Sequence, residues 1–425
     1  MLKFFSFIFL FIGFTKTNAQ NILDSFLIPS NNVLFLRGDS SNGLNKPRDL
    51  DFHLDLQRTD ELWVINEISA SFDGTNGGST VTFYNAGSND QRSEYRKDAF
   101  SGHFMNKASA IAFNPNGGFA NTLDVQDANN NPNGYFSGCT LWDSDTSIYA
   151  RINQNGPLLG SHWDMLHQSP FSVGIAGQTD NIYWLFDGFH QAIVKYDFQE
   201  PHPDHEHGGE DHSDGLIYRY DELQVERVPG LSSHIDIDES NGWLYICDTG
   251  NQRIVKLNTN SGEIGQNLNP YGENIQGYYS MVGAEYEVVM DEGIDQPTGL
   301  DVHNGRLLVS DFNTGEIIIY DIESDPSIEL GRIETGFYNE VMGIKAGSDG
   351  SIWFVCSSSS ELYQIISTIM GDINGDLIYN QSDYLLITLF LMGESQIENP
   401  EAADMNFDNT VDIFDLIMIS DFINI

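Results

Sequence analysis

The sequence predicts an all-β propeller of six blades followed by a small all-α calcium-binding module. Three observations predict it. A strand–turn–strand grammar returns six times between Gln20 and Ile366. An oxygen-rich loop is duplicated within the last 54 residues. The ring region is rich in Gly, Asn, Asp and aromatic residues, with turn clusters between short apolar runs and few helical stretches. The expected organisation is a leader over 1–19, a propeller over 20–366 and the calcium module over 367–425.

The leader comes first. Lys3 supplies positive charge, Phe4 to Phe14 is apolar, and Thr17-Asn18-Ala19 is a plausible cleavage site before Gln20. The apolar run is about 11 residues, too short to cross a bilayer. A secreted chain with no membrane span is the expectation. Formal net charge is −43. So acidic a surface repels phosphate backbones, which excludes nucleic acid as a partner class. Cys139, Cys247 and Cys356 make no disulfide framework. Cys247 and Cys356 lie in apolar strand-like runs and read as core.

The repeat follows. Its clearest unit is Ser233 to Leu257, in which a strand, a turn and a second strand ending at Asp248 lead to a Gly-Asn turn and another strand. Unit starts fall at Asp49, Ala110, Ser172, His234, Gly299 and Gly343, spaced 61, 62, 62, 65 and 44 residues apart. The matching ends of the second strand are Asn66, Asp127, Asp187, Asp248, Asp311 and Cys356. Alternating apolar residues bury one face of each strand against the next blade. Six sheets in a ring hide their edges. The stretch Asp248 to Ile254 resembles the NHL repeat family, whose members often form six-bladed propellers; the resemblance covers roughly 46–364. In such propellers the innermost strand starts near the central channel, which makes Asp49, Ser172 and His234 channel candidates. A ligand of unknown identity would bind at a propeller face.

The last segment carries the most specific signal. One loop places Asp372, Asn374, Asp376, Ile378, Asn380 and Asp383 at positions 1, 3, 5, 7, 9 and 12; the other places Asp404, Asn406, Asp408, Thr410, Asp412 and Asp415 there. Calcium takes 6–8 oxygen ligands, and short polar side chains alternating along a tight loop supply them, with position 7 giving a backbone carbonyl. An apolar run follows each loop, so each opens one helix. This duplicated loop–helix unit resembles a type I dockerin, which implies two calcium ions and a cohesin-like partner. Family contacts near positions 10 and 11 correspond to Gln381-Ser382 and Ile413-Phe414, two unlike faces. Leu377 and Asn409 stand where the family usually has Gly at position 6.

Histidines mark another candidate site. His202, His205, His207 and His212 lie among five acidic residues in 201–215, His162 and His167 precede the third unit, and His234 opens the fourth. Imidazoles and carboxylates at such spacing suit zinc, copper or iron. Peptidyl-hydroxyglycine lyases are propellers of related type with channel histidines on zinc. Here only His234 falls at a comparable place, and Gly299 and Gly343 occupy the next two. Two functional readings follow: a secreted binding protein tethered by its calcium module, or a secreted metal-dependent or polysaccharide-acting enzyme with its site among these histidines.

Overall fold

The computed structural model describes residues 21–27, 32–68, 77–179, 181–200, 212–367, 371–376, 380–397, 399–405 and 410–423. Two compact units divide the chain, one spanning 26–368 and the other carrying the C-terminal residues from 369. The first is a six-bladed propeller. Its innermost strands are Pro47–Phe52, Ala108–Phe113, Ser172–Gly177, Ile235–Asp238, Pro297–His303 and Val341–Ala346. Each pairs antiparallel with the next strand outward. All six unit starts read from the sequence fall within these strands, or next to one in the case of His234.

The second strands hold the core. Leu62–Asn66 and Ile352–Cys356 are buried at every residue, and Ile182–Asp187, Trp243–Asp248 and Arg306–Asp311 at all but the first. The expectation of one buried face per strand is therefore too small here. A second strand has a neighbouring blade on each side, so it reads as a continuous apolar run. Trp63, Trp142, Trp184 and Trp353 fill the gaps between blades.

Close approach of blades explains three glycines. A Cβ on Gly174 would lie 2.0 Å from the Ser233 carbonyl, and one on Gly299 would lie 2.1 Å from that of Met342. On Gly343 it would lie 2.7 Å from the Asp49 Cα, where the sixth blade meets the first. These glycines sit where the inner strand bulges, between Ser172 and Ile175, Pro297 and Leu300, and Val341 and Ile344.

The structure departs from the expected ring at three places. The outer strand of the sixth blade is Asn32–Gly38, which pairs antiparallel with Glu361–Ser367 and closes the ring with chain from before its first repeat. An inserted hairpin, Glu263–Asn267 with Gly277–Val282, leaves the fourth blade and joins the third, where Gly277–Val282 runs parallel to Leu216–Tyr220. In the second blade the second strand ends at Leu123, not Asp127. Asp127 instead holds a turn, accepting hydrogen bonds from the Asn129 and Asn131 amides.

In the C-terminal unit two 11-residue helices, Gln381–Leu391 and Ile413–Ile423, follow the two loops. Ile373, Ile387, Ala403, Met405 and Ile419 form its small core.

Candidate functional site

The two C-terminal loops share one local geometry. At position 9 the amides of Asn380 and Asp412 donate to the position-12 carboxylates of Asp383 and Asp415, at 3.0 and 2.8 Å. The position-9 side chains in turn accept from the amides of Ser382 and Phe414. This caps each helix. In the first loop Asp383 Oδ1 also accepts from the Ile373 and Asn374 amides, and Asp372 Oδ1 from that of Asp376. Asp372 is 3% exposed, and Asp383 and Asp415 are fully buried. Residues 369–425 contain eleven Asp and Glu and no Lys, Arg or His. Buried carboxylates need a counter-charge, and this segment supplies none of its own. Hard oxygen donors without a protein cation fit calcium. Ile378, Asn406 and Asp408 lie outside the described residues.

Among the described residues, His162, His167 and His234 do not form a single cluster. His234 is buried on the propeller axis, its Nδ1 3.3 Å from Asp49 Oδ1. His162 lies on the outermost strand of the second blade and stacks on Phe104 at 3.7 Å. His167 follows that strand. Its Nδ1 donates to Glu273 Oε1 at 2.8 Å, and its ring stacks on Phe136 at 3.6 Å. Burial works against ionisation of Glu273, but bonds from His167 and Gln168 hold its carboxyl below the usual value. The turn His212–Asp214 packs near strand His162–Leu166. His202, His205 and His207 lie outside the described residues. His103, which no local pattern marks, faces His167, with Nε2 atoms 3.4 Å apart.

A blind polar cavity of about 420 Å³ runs along the axis, lined by Asp49, Asp51, His234, Asp236, Asp301 and Lys345 among apolar residues. Lys345 Nζ lies 2.9 Å from Asp301, 3.3 Å from Asp236 and 3.8 Å from Asp51. The same carboxylates stitch the blades together. Asp49 accepts from the Ile111 amide, Asp51 from Phe113, Asp236 from Val302 and Asp301 from Ala346, each across a blade boundary. Burial alone would lower the Lys345 pKa, but Asp236, Asp301 and Asp51 outweigh it and keep the ammonium charged. Burial pushes Asp236 up to about 7, against the pull of Lys345, and raises Asp49 and Asp51. His234 is driven down to about 3 by burial, so it is neutral. The other end of the axis is plugged by Arg48, which donates to Ser232 Oγ and Glu67. Ser172 is buried between blades, its carbonyl accepting from Ser109 Oγ, and does not line the cavity.

Two features that resemble catalytic parts have structural roles. His53 Nε2 lies 2.9 Å from Ser144 Oγ. The Asp55 amide donates to His53 Nδ1, which places the ring proton on Nε2. His53 therefore donates to Ser144, whose hydroxyl donates to the Gly117 carbonyl, and it cannot act as that serine's base. The aspartates ending the second strands lock turns. Asp187 accepts from the Phe189 and His190 amides, Asp248 from Arg253 and the Glu226 amide, and Asp311 from the Asp295 and Asn313 amides.

Comparison with known proteins bears on both units. Residues 370–424 match the dockerin type I domain. No curated protein matches the chain. Among solved structures, an auxiliary nutrient binding protein from Bacteroides ovatus is 11% identical over 79% of this chain and 76% of its own, with a TM-score of 0.48. A streptogramin B lyase is 13% identical over 80% and 98%, at 0.45. A virginiamycin B lyase from Staphylococcus aureus is 12% identical over 79% and 99%, at 0.43. Nothing about activity follows from likeness at this level. The match over 370–424, on the paired loop–helix units just described, identifies the C-terminal segment as a dockerin type I domain carried by a six-bladed β-propeller.

Proposed function

We propose that this chain is a secreted propeller protein that binds an extracellular ligand and docks, with two calcium ions in its C-terminal loops, onto a cohesin-like partner. The observation that carries the reading is the dockerin match over 370–424. The docking face we favour is that of the second helix. Ile413 and Phe414 are 54% and 62% exposed, with Ile417 one turn further on. Gln381 and Ser382, at the same positions of the first copy, are polar. Apolar anchors that lose their water carry most interface energy, so docking through the second copy is the stronger mode. The axial cavity is the ligand site in this reading. Its carboxylates and single ammonium, set among apolar walls, suit a small polar ligand rather than an anion. Secretion agrees with the leader-like first 19 residues, and among the described residues no helix is long and apolar enough to cross a membrane. The enzymatic alternative, a metal-dependent or polysaccharide-acting site, would have to be built around His167, since His162 and His234 lie elsewhere.

The test is binding of the full chain to a panel of cohesin modules by biolayer interferometry, in calcium and in EGTA. We expect calcium-dependent binding to at least one module, weakened at least tenfold in an Ile413→Ser, Phe414→Ser variant and little changed in Gln381→Ala, Ser382→Ala. Binding that survives EGTA and both pairs of substitutions would overturn the reading.

A further inference from the structure

We infer that the axial cavity selects a small organic cation, a protonated amine joined to an apolar body. The inference rests on the proposed reading of this cavity as the ligand site and narrows it to one chemical class. The selectivity comes from the way the ring departs from its own repeat. On each inner strand one residue lines the cavity opposite the residue three before the end of the second strand. In ring order these residues are Asp51, Ala112, Ala176, Asp236, Asp301 and Lys345. The fourth, fifth, sixth and first blades are consecutive around the ring, so every charge at this level lies on one arc. The two alanines close the ring on the other side, flanked by Ile111, Phe113 and Ile175. A ligand seated here meets carboxylates along one edge and apolar carbon along the other.

Acceptors outnumber donors on that arc. Lys345 is its one cation against Asp51, Asp236 and Asp301, and Asp49 lines the same cavity. A carboxylate has about four lone-pair sites. Asp301 uses one on the Lys345 ammonium and one on the Ala346 amide. Asp51 Oδ2 accepts from the Phe113 amide, while its Oδ1 stands 3.8 Å from Lys345 Nζ, beyond hydrogen-bond range. Both carboxylates therefore keep acceptor capacity for a ligand. Carboxylates gathered in a buried wall also need more positive charge than one lysine gives. Burial, with Asp301 alongside, pushes Asp236 up to about 7 despite Lys345, which shows the shortfall. An ammonium supplies both donors and charge; an alcohol supplies donors alone, and a carboxylate neither. Ionised Asp236 attracts an ammonium and its protonated form does not, so binding strengthens as pH rises through 7. The remaining titratable groups of the wall are His234, which burial keeps neutral, and Glu239 and His303.

The experiment is isothermal titration calorimetry of the full chain, in calcium, with three probes of similar shape: 2-phenylethylamine, 2-phenylethanol and 3-phenylpropionate. We expect the amine to bind, the alcohol to bind about tenfold more weakly and the carboxylate not at all. Amine affinity should rise by up to about tenfold from pH 6 to pH 8, and equally in His303→Gln, because Asp236 rather than that imidazole sets the trend. Asp51→Asn, which keeps the shape of the wall, should weaken the amine about tenfold and leave the alcohol unchanged. Ala176→Leu narrows the cavity and should weaken both. The probe comparison and the pH trend use the wild type, so they decide even if a variant does not fold. Two results would overturn the cationic class and leave the cavity as the ligand site: an amine affinity that is flat with pH, or an alcohol that binds as tightly as the amine and is weakened by Ala176→Leu. No binding by any probe, or binding indifferent to Ala176→Leu, would overturn the cavity reading as well.

Discussion

Calcium removal is the perturbation whose size the structure fixes best. The segment 369–425 buries Asp372, Asp383 and Asp415 around a five-residue apolar core and contains no basic residue. At 0.05–0.15 kcal/mol per residue, a module of this length is worth roughly 3–8 kcal/mol in total. An ion held at 100–1,000 times its Kd contributes about 2.7–4.1 kcal/mol, so two contribute about 5–8 kcal/mol. With both loops filled as proposed, calcium would account for most or all of the module's stability, and the carboxylates left without it would repel one another. In EGTA the module should unfold at room temperature while the propeller, with its own large core, stays folded. Far-UV circular dichroism reads this directly. Both 11-residue helices lie in the module, and the α-helix described in the propeller is the four-residue Ser101–Phe104. EGTA should erase the helical band and remove one calorimetric transition of two, and added calcium should restore both. An unchanged helical band and unchanged transitions in EGTA would refute the claim that calcium supplies the missing counter-charge.

Other outcomes follow from the propeller. Lys345→Met leaves Asp51, Asp236 and Asp301 without their cation and should cost about 3–5 kcal/mol at pH 7, measured by urea unfolding. Asp236 has a folded pKa raised above its unfolded value, so its contribution falls as pH rises from about 4 to 7. The variant should regain part of its loss on acidification to pH 5; a deficit that is the same at both pH values would contradict this. His234 has the opposite sign. Its folded pKa of about 3 lies below the unfolded 6.5, so stability is lost as pH falls through that interval, by at most about 1.4 kcal/mol per pH unit. A His234→Asn variant should show a flatter pH dependence of its urea midpoint than the wild type. Gly174→Ala forces a methyl against the Ser233 carbonyl and should cost about 1–3 kcal/mol; a neutral result would mean that the blades shift apart easily.

What was legible in the sequence and what was not divides along the length of the interactions involved. The ring could be read because the second strands are short runs such as Trp243–Asp248, apolar at nearly every residue and closed by a turn-locking aspartate, a pattern complete within ten residues. The paired loop–helix units of 370–424 could be read for the same reason. The cluster at His167 could not, because its partners lie 64 and 106 residues away and nothing local marks His103 or Glu273 as belonging with it. Asp51, Asp236 and Asp301 were hidden among 62 acidic residues until the inner strands brought them around Lys345. The repeat spacing itself held a clue. The step of 44 residues from Gly299 to Gly343 is the length of a bare four-stranded blade with short turns. The other steps are longer by roughly twenty residues, and each excess is loop or insertion. The longest, from His234 to Gly299, contains the hairpin that delivers Tyr271 and Glu273 to the second and third blades. A repeat conserves what packs, so the chain that exceeds the repeat is where chemistry can be placed without disturbing the ring. The excess length, more than any residue type, was the sequence signal that could have pointed to His167.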